Sequence, residues 1–383
     1  MGQSSVLAEE HVETTPEIGD RVVGRSPWQL FWSRLIKDRV AIAGAVMIVE
    51  LVLVAICAPL LSKLVGHGPN DLFDHMLDAI GLPKGPNSQF WFGADQVGRD
   101  VFVRTIYAVR TSLIVAIVAT GISVVIGIIL GTIAGFFGGF ADTVISRTVD
   151  LVMSLPVLLF AIGLAATCGI TAQGCVGGHL QWPAGTWGII GWAAAIVCVG
   201  LGLLWQAQRR PGAMGMIILG LFFAIIHFPL IPLPTIQPGL SLVIFVIALV
   251  NWTYIGRIVR GQVLTLRERE FVEASRALGA TNSRIMFREL LPNLAAPIIV
   301  YSTLIIPSNI LFEAALSFLG VGIPQSTPSL GRMLADASRG QLFTVAWWMM
   351  LYPGVFLVLL TLAFNLLGDG LRDALDPRGR RGA

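Results

Sequence analysis

Residues 112–136, SLIVAIVATGISVVIGIILGTIAGF, carry no charged side chain and are long enough to cross a bilayer as one helix. A spanning helix needs about 20 mostly apolar residues, since its backbone must bond to itself where no water is available. Further stretches read the same way at about 41–62, 150–168, 187–205, 214–232, 239–257, 295–318 and 345–367. The expected fold class is therefore an all-α polytopic membrane protein with about 8 transmembrane helices. Within the quoted stretch, Gly127, Gly131 and Gly135 recur on one helical face. Small residues so placed permit close backbone approach, and packing inside the bundle is a simpler reading than contact with a second subunit.

Composition agrees. The chain of 383 residues is 55% hydrophobic and 13% charged, against roughly 25% charged in soluble domains. Its 42 glycines and 10 tryptophans suit membrane helices and their interfacial belts. A soluble domain of this make-up would expose large apolar patches. The formal charge of +3 gives no reason to expect nucleic acid as a partner.

The distribution of charge orients the spans. Arg34, Lys37 and Arg39 precede the first apolar stretch, which sets the N-terminus in the cytoplasm. Residues 1–40 lack the pattern of a cleaved signal peptide and read as a retained cytoplasmic tail. Alternation then puts 63–111 outside and 137–149, 206–213, 258–294 and 368–383 inside, with both termini cytoplasmic. The inside loops hold Arg147, Arg209, Arg210, seven arginines from Arg257 to Arg288, and Arg372, Arg378, Arg380 and Arg381. The expected layout is a first helix at 41–62, an extracytoplasmic loop at 63–111, a core at 112–378 and a short tail at 379–383.

The loop 258–294 is the most informative hydrophilic segment. Phe271, Ala274 and Leu278 recur at helical spacing beside Arg269, Glu270, Glu273 and Arg276. Gly279 is suited to end that helix in a left-handed cap. Pro292 is suited to the start of the next span. Such an apolar strip can dock in a partner's groove or lie on lipid headgroups. The order Glu273-Ala274-Ser275, Gly279, Leu291-Pro292 resembles the EAA loop of ATP-binding-cassette (ABC) importer permeases, which favours docking. In that family the loop is a coupling helix seated on a separate ATPase subunit.

The resemblance extends along the chain. Phe92-Gly93-Ala94-Asp95-Gln96-Val97-Gly98-Arg99-Asp100 is similar to the GTDxxGRDxxSR segment of dipeptide and oligopeptide importer permeases. Gly135-Phe136-Phe137-Gly138-Gly139 with Asp142, Arg147, Asp150 and Pro156 resembles the next block. Arg257, Arg260-Gly261 and Glu313-Ala314-Ala315-Leu316-Ser317-Phe318-Leu319-Gly320 continue it. The ending from Ala363 to Arg378 resembles that of the C-type transmembrane subunit. The resemblance implies a type I ABC importer permease fold with a six-helix core, to which 169–238 add a transmembrane hairpin. Two further departures are Glu289, where the general loop pattern has an apolar residue, and Ser275 in place of its second alanine.

Other candidate sites are less determined. Asp95, Gly98, Arg99 and Asp100 suit either contact with an extracytoplasmic partner or a local Arg–Asp pair that fixes the loop. Glu50, in the middle of the first span, and Glu313, near the outer end of the seventh, are pathway or gate candidates because charge in lipid is costly. For Glu313 pairing with a nearby arginine is the preferred reading; for Glu50 the sequence offers no partner. Cys168 and Cys175 flank a stretch read as external, and a disulfide and two free thiols both fit. Cys57 and Cys198 read as packing residues, and His227 as a hydrogen-bonded helix residue.

No phosphate-binding G-x-x-x-x-G-K-[ST] loop, zinc-type spacing or nucleophile elbow occurs in the sequence. The expectation is a non-catalytic subunit that binds no cofactor itself, ATP and Mg being held by partner subunits. The resemblance implies import of dipeptides or oligopeptides, or of nickel chelates, glutathione or opines by the same architecture. It also implies a second, B-type permease, two ATPase subunits, an extracytoplasmic substrate-binding protein, and the bacterial cytoplasmic membrane. An ATP-independent secondary carrier is the alternative of another class; it calls for coupled membrane carboxylates and internal repeats, and neither is visible.

Overall fold

The computed structural model describes residues 27–170 and 239–375, and everything below concerns those residues. They are helical without a strand; two isolated β-bridges, Leu77 to Pro83 and Ala94 to Asp100, occur in the one long loop. Helix α1 is Pro27–Leu35 and α2 is Arg39–Val65. α3, Val101–Phe137, is followed by α4, Gly139–Ser154, and α5, Val157–Ile170. α6 is Leu240–Leu266, α7 the short Glu270–Ala277, and α8 Asn282–Phe318. α9, Leu330–Ser338, and α10, Trp348–Leu375, complete the order.

Among these, α2, α3, α6, α8 and α10 are long and apolar enough to cross a membrane, and α4 with α5 passes that test only as a pair bent by 80°. Six of the eight expected spans fall within the described residues, where five or six candidates are found. The expected hairpin at 169–238 lies, beyond Ile170, outside the described residues.

Each boundary that departs from expectation has a local cause. The second span begins at Val101 rather than 112, because Asp100 caps it by accepting from the Phe102 and Val103 amides. The loop expected at 63–111 therefore closes at Asp100, and Arg104 belongs to a helix. The expected loop at 137–149 is helix α4, and the span expected at 150–168 is broken. Pro156 has no amide hydrogen, and Leu155 before it is extended at φ −75°, ψ 130°, as a pre-proline residue prefers. α6 continues to Leu266, well into the expected loop 258–294, since its arginines find acids on α4: Arg260 on Asp142 and Arg257 on Asp150. α10 runs on to Leu375, and the expected N-terminal tail contains α1.

Pro292 stands in the first turn of the regular α-helical segment Leu291–Phe318, as expected, while α8 as a whole reaches further back. That helix starts at Asn282, where Thr281 Oγ1 accepts from the Arg284 amide at 3.4 Å. The turn Ile285–Leu290 is a π-helix, in which the Leu291 amide reaches back to the Met286 carbonyl. The wider turn sits directly before the proline, whose missing amide hydrogen breaks the regular ladder.

The core is built around α3. Gly127, Gly131 and Gly135 lie on α6: a Cβ on Gly131 would come 2.6 Å from the Gly256 carbonyl oxygen and 2.9 Å from Val259 Cβ. On another side Val109, Leu113 and Ala116 of α3 pack with Leu51 and Ala55 of α2, Ile310 of α8 and Leu360 of α10. α1 is pinned to the end of α10 through Phe31, Leu371 and Ala374. α1, α7 and the end of α10 share one end of the bundle; the loop 66–100 and α9 share the other.

Gly131→Leu is expected to destabilise the protein by about 1–3 kcal/mol, as overpacking does. Its thermal unfolding midpoint in detergent should fall below that of Gly121→Leu, a site with open space around it.

Candidate coupling site and the polar networks around it

α7 is a helix of 8 residues with opposed faces. Val272 is fully buried and packs with Phe136 of α3, Val259 and Val263 of α6, and Ile285, Leu290 and Leu294 of α8. Its neighbours point away: Phe271 is 37% exposed and Leu278 89%, with Ala274 and Glu273 also exposed. Ser275 is half-buried, and Arg276 lies over the Phe136 ring at 5.6 Å from its centroid. The Ala280 amide donates to the Ser275 carbonyl at 3.0 Å and the Gly279 amide to that of Arg276 at 2.9 Å. These two bonds form a Schellman motif, with Gly279 at φ +77°. Arg267 adds a bond to the Gly135 carbonyl at 2.9 Å. Leu291 and Pro292 lie beyond the π turn in α8, outside the exposed strip. α7 therefore offers an apolar strip bordered by charge while its root is fixed to three long helices.

At the opposite end the Asp95–Asp100 turn is a local network of hydrogen bonds. Asp95 Oδ1 accepts from the Val97 and Arg99 amides at 3.0 Å each, and its Oδ2 accepts from Arg99 Nε at 2.6 Å. Asp100 caps α3 and has His67 Nδ1 at 2.8 Å. Gly98, at φ +82°, stands where a Cβ would be 2.7 Å from the Phe73 carbonyl oxygen. Asp95, Arg99 and Asp100 are all buried, so the turn has a local fixing function and little surface for a partner.

Comparison with known proteins now bears on both ends. Residues 127–381 match the family described as the binding-protein-dependent transport system inner membrane component. Residues 26–80 match the N-terminal TM domain of oligopeptide transport permease C. The chain is 33% identical over 366 residues to a dipeptide transport system permease protein of Alkalihalophilus pseudofirmus, covering 95% of this chain and 94% of the relative. It is 33% identical over 350 residues to the dipeptide transport system permease protein of Bacillus subtilis, covering 91% and 85%. Against the oligopeptide transport system permease protein OppC of Escherichia coli it is 32% identical over 377 residues, covering 98% and 100%. The chain belongs to the binding-protein-dependent ABC permease family, in its C-type branch. The permease is a multi-pass, non-catalytic membrane subunit with the type I importer fold.

The remaining candidates separate once the permease is seen whole. Glu313 is fully buried but meets no arginine among the described residues, contrary to the preferred reading of the sequence. Ser112 Oγ of α3 and Ser317 Oγ one turn on donate to its carboxylate at 2.7 and 2.8 Å, and Ser329 at the start of α9 also bonds it. Serines on neighbouring elements satisfy the carboxyl because the close approach of Gly331 to the Ala314 backbone brings α9 there. Glu50 is exposed on the outer side of α2, in an apolar groove shared with Trp32, Val46 and Val49. Cys57 is a half-buried free thiol. The Cys168 side chain, Cys175, Cys198 and His227 lie outside the described residues. Among the described residues no group of three His, Cys, Asp or Glu could hold a metal ion.

Sequence reasoning missed three groups. Val272 and its α8 partners Ile285 and Leu290 were legible only as apolar residues in a loop. Arg104, 1% exposed, bonds the Pro69 carbonyl at 2.9 Å and the Asn70 amide oxygen at 3.2 Å, which ties α3 to the loop. Asn309 of α8 bonds Thr120 of α3 at 2.8 Å and accepts from Asn251 of α6. The polar residue types inside apolar runs were the available signal for Asn309 and Asn251.

Asp100→Ala should lower stability by about 1 kcal/mol or more, through loss of the α3 cap and of the His67 contact. Asp100→Asn, which can still cap, should lose less; thermal unfolding of the two purified variants measures the difference.

Proposed function

We propose that this permease is half of the translocation pathway of an ABC importer for dipeptides and longer peptides. It is coupled to separate ATPase subunits by α7. The observation that carries the coupling is the exposed Phe271, Ala274 and Leu278 strip on a helix whose Val272 root is buried among three long helices. A push on such a helix moves the ends of α3, α6 and α8 together, because no hinge lies between strip and root. The dipeptide and oligopeptide permeases among its relatives support a peptide as the substrate.

The assembly this implies contains a second, B-type permease, two ATPase subunits that hold ATP and Mg, and an extracytoplasmic binding protein that delivers the peptide. The end carrying α1, α7 and the close of α10 is assigned to the cytoplasm of a bacterial cell. Arg34, Lys37, Arg39, Arg269, Arg284 and Arg288 gather there, as the orientation rule requires. The loop 66–100 and α9 then face the binding protein. ATP-driven closure of the ATPases presses on α7, and the spans swing from inward-open to outward-open to admit the peptide.

Leu278→Glu puts a charge on the most exposed apolar residue of the strip without touching the Val272 core. Expressed as the tagged full chain in its native membrane, it should lose co-purifying ATPase subunits and peptide uptake while keeping the second permease. Unchanged ATPase recovery and uptake would show that α7 is not the coupling element. Uptake by the chain alone in liposomes without ATP would favour the secondary carrier instead.

A further inference from the structure

The outward-facing surfaces of the spans differ in chemistry. On α3 the exposed residues include Ile117, Val125 and Ile129, and on α10 Val355, Val358 and Leu362. Those faces suit lipid. α6 packs its apolar side on α3 and α8 and turns Tyr254, Arg257, Gly261, Gln262 and Thr265 outward, with Asn251 half-exposed on the same side. Tyr254 is 48% exposed, and the side chains of Arg257 and its partner Asp150 are 53% and 57% exposed. Arg257 lies roughly 14 Å short of Leu266 along the helix axis, and Asn251 falls near the middle of α6. An amide near the middle of a span is costly against hydrocarbon, and Tyr254 and the exposed Arg257–Asp150 pair continue the same polar stripe toward the end of α6, so this face is suited to water.

The stripe is also held in place. Asn251 donates to Asn309, which is bonded in turn to Thr120, so three helices fix its orientation. Among the described residues the Asn251 Oδ1 has no hydrogen-bond donor, which leaves an acceptor for an incoming N–H. Arg257 Nη2 donates to Asp150 Oδ1 at 3.2 Å, joining α6 to α4 by an exposed pair that a ligand can open. From these observations we infer that Asn251, Tyr254 and Arg257, with Asp150, line the aqueous route of the substrate. The Asp150–Arg257 pair meets its charged ends. Asp150 takes the ammonium and Arg257 the carboxylate of a peptide, while Asn251 accepts from its backbone. The substrate half of this inference rests on the peptide-importer reading; the aqueous half does not.

The test uses the assembled importer with its ATPases, partner permease and binding protein, in lipid. Cys57, Cys168, Cys175 and Cys198 are replaced by serine, and Tyr254→Cys is compared with Val358→Cys on the aliphatic face of α10. A charged, membrane-impermeant methanethiosulfonate should label the first and not the second, and saturating alanyl-alanine should slow the labelling. Labelling of Tyr254→Cys no faster than of Val358→Cys would overturn the inference. Labelling that dipeptide does not slow, in a complex that takes dipeptide up, would overturn it as well. Labelling in a complex that takes up no peptide would sink the peptide reading and leave the aqueous route standing. Arg257→Gln should fold, since an exposed pair adds little to stability. It should cut uptake about tenfold with ATPase recovery intact, the effect of losing one charged hydrogen bond. Unchanged uptake would remove the pair from recognition of the charged ends.

Discussion

At Gly127, Gly131 and Gly135 the backbone of α3 lies so near α6 that one added methyl group would collide with Ile255, Val259 or Val263. In a bilayer, helices are not driven together by exclusion of water, and such van der Waals contact is a principal source of association. The seam has two effects. It fixes which side of α6 turns inward, and so which residues are presented on the other side. It also brings the ends of α3 and α6 together, where Phe136, Val259 and Val263 make the socket for Val272. The coupling helix and the polar stripe thus depend on one contact between two backbones.

Charge inside the bundle follows a consistent rule. Several buried ionic or polar side chains are satisfied across elements: Arg104 by the loop, Glu313 by serines of α3, α8 and α9, and Asn309 by α3 and α6. Isolated burial would cost far more than these bonds return, so such groups persist where neighbours supply partners. The satisfied groups tie distant segments, as Arg104 ties α3 to the Pro69 turn.

Much of this was legible in the sequence, for definable reasons. Apolar runs of bilayer length disclosed the spans, and Phe271, Ala274 and Leu278 disclosed a helix with one apolar face. Gly279 announced a left-handed cap because other residues are strained there. Boundaries were less legible, because a charged residue such as Arg104 or Arg260 looks like a loop until its partner in another element is known. Val272 was hidden for the opposite reason: a lone valine in a polar helix has no pattern of its own, and its importance comes from Ile285 and Leu290. Glu313 was misjudged because an arginine is the obvious partner for a buried carboxylate, whereas three hydroxyls serve as well and are invisible as a group in one dimension.

The π turn at Ile285–Leu290 has a consequence for which lengths of chain the permease tolerates. A π turn holds one residue more than the α-helical turn it replaces. Deleting a residue there would leave a regular helix, locally better bonded than the original. Since one full turn is exchanged for another, the segments on either side would keep nearly the same facing, and Val272 would stay aimed at its socket. A residue deleted from a regular α-helical stretch of α8 would instead turn everything upstream by about 100°. The π turn is therefore a place where the chain can lose a residue without losing the register between α7 and the spans.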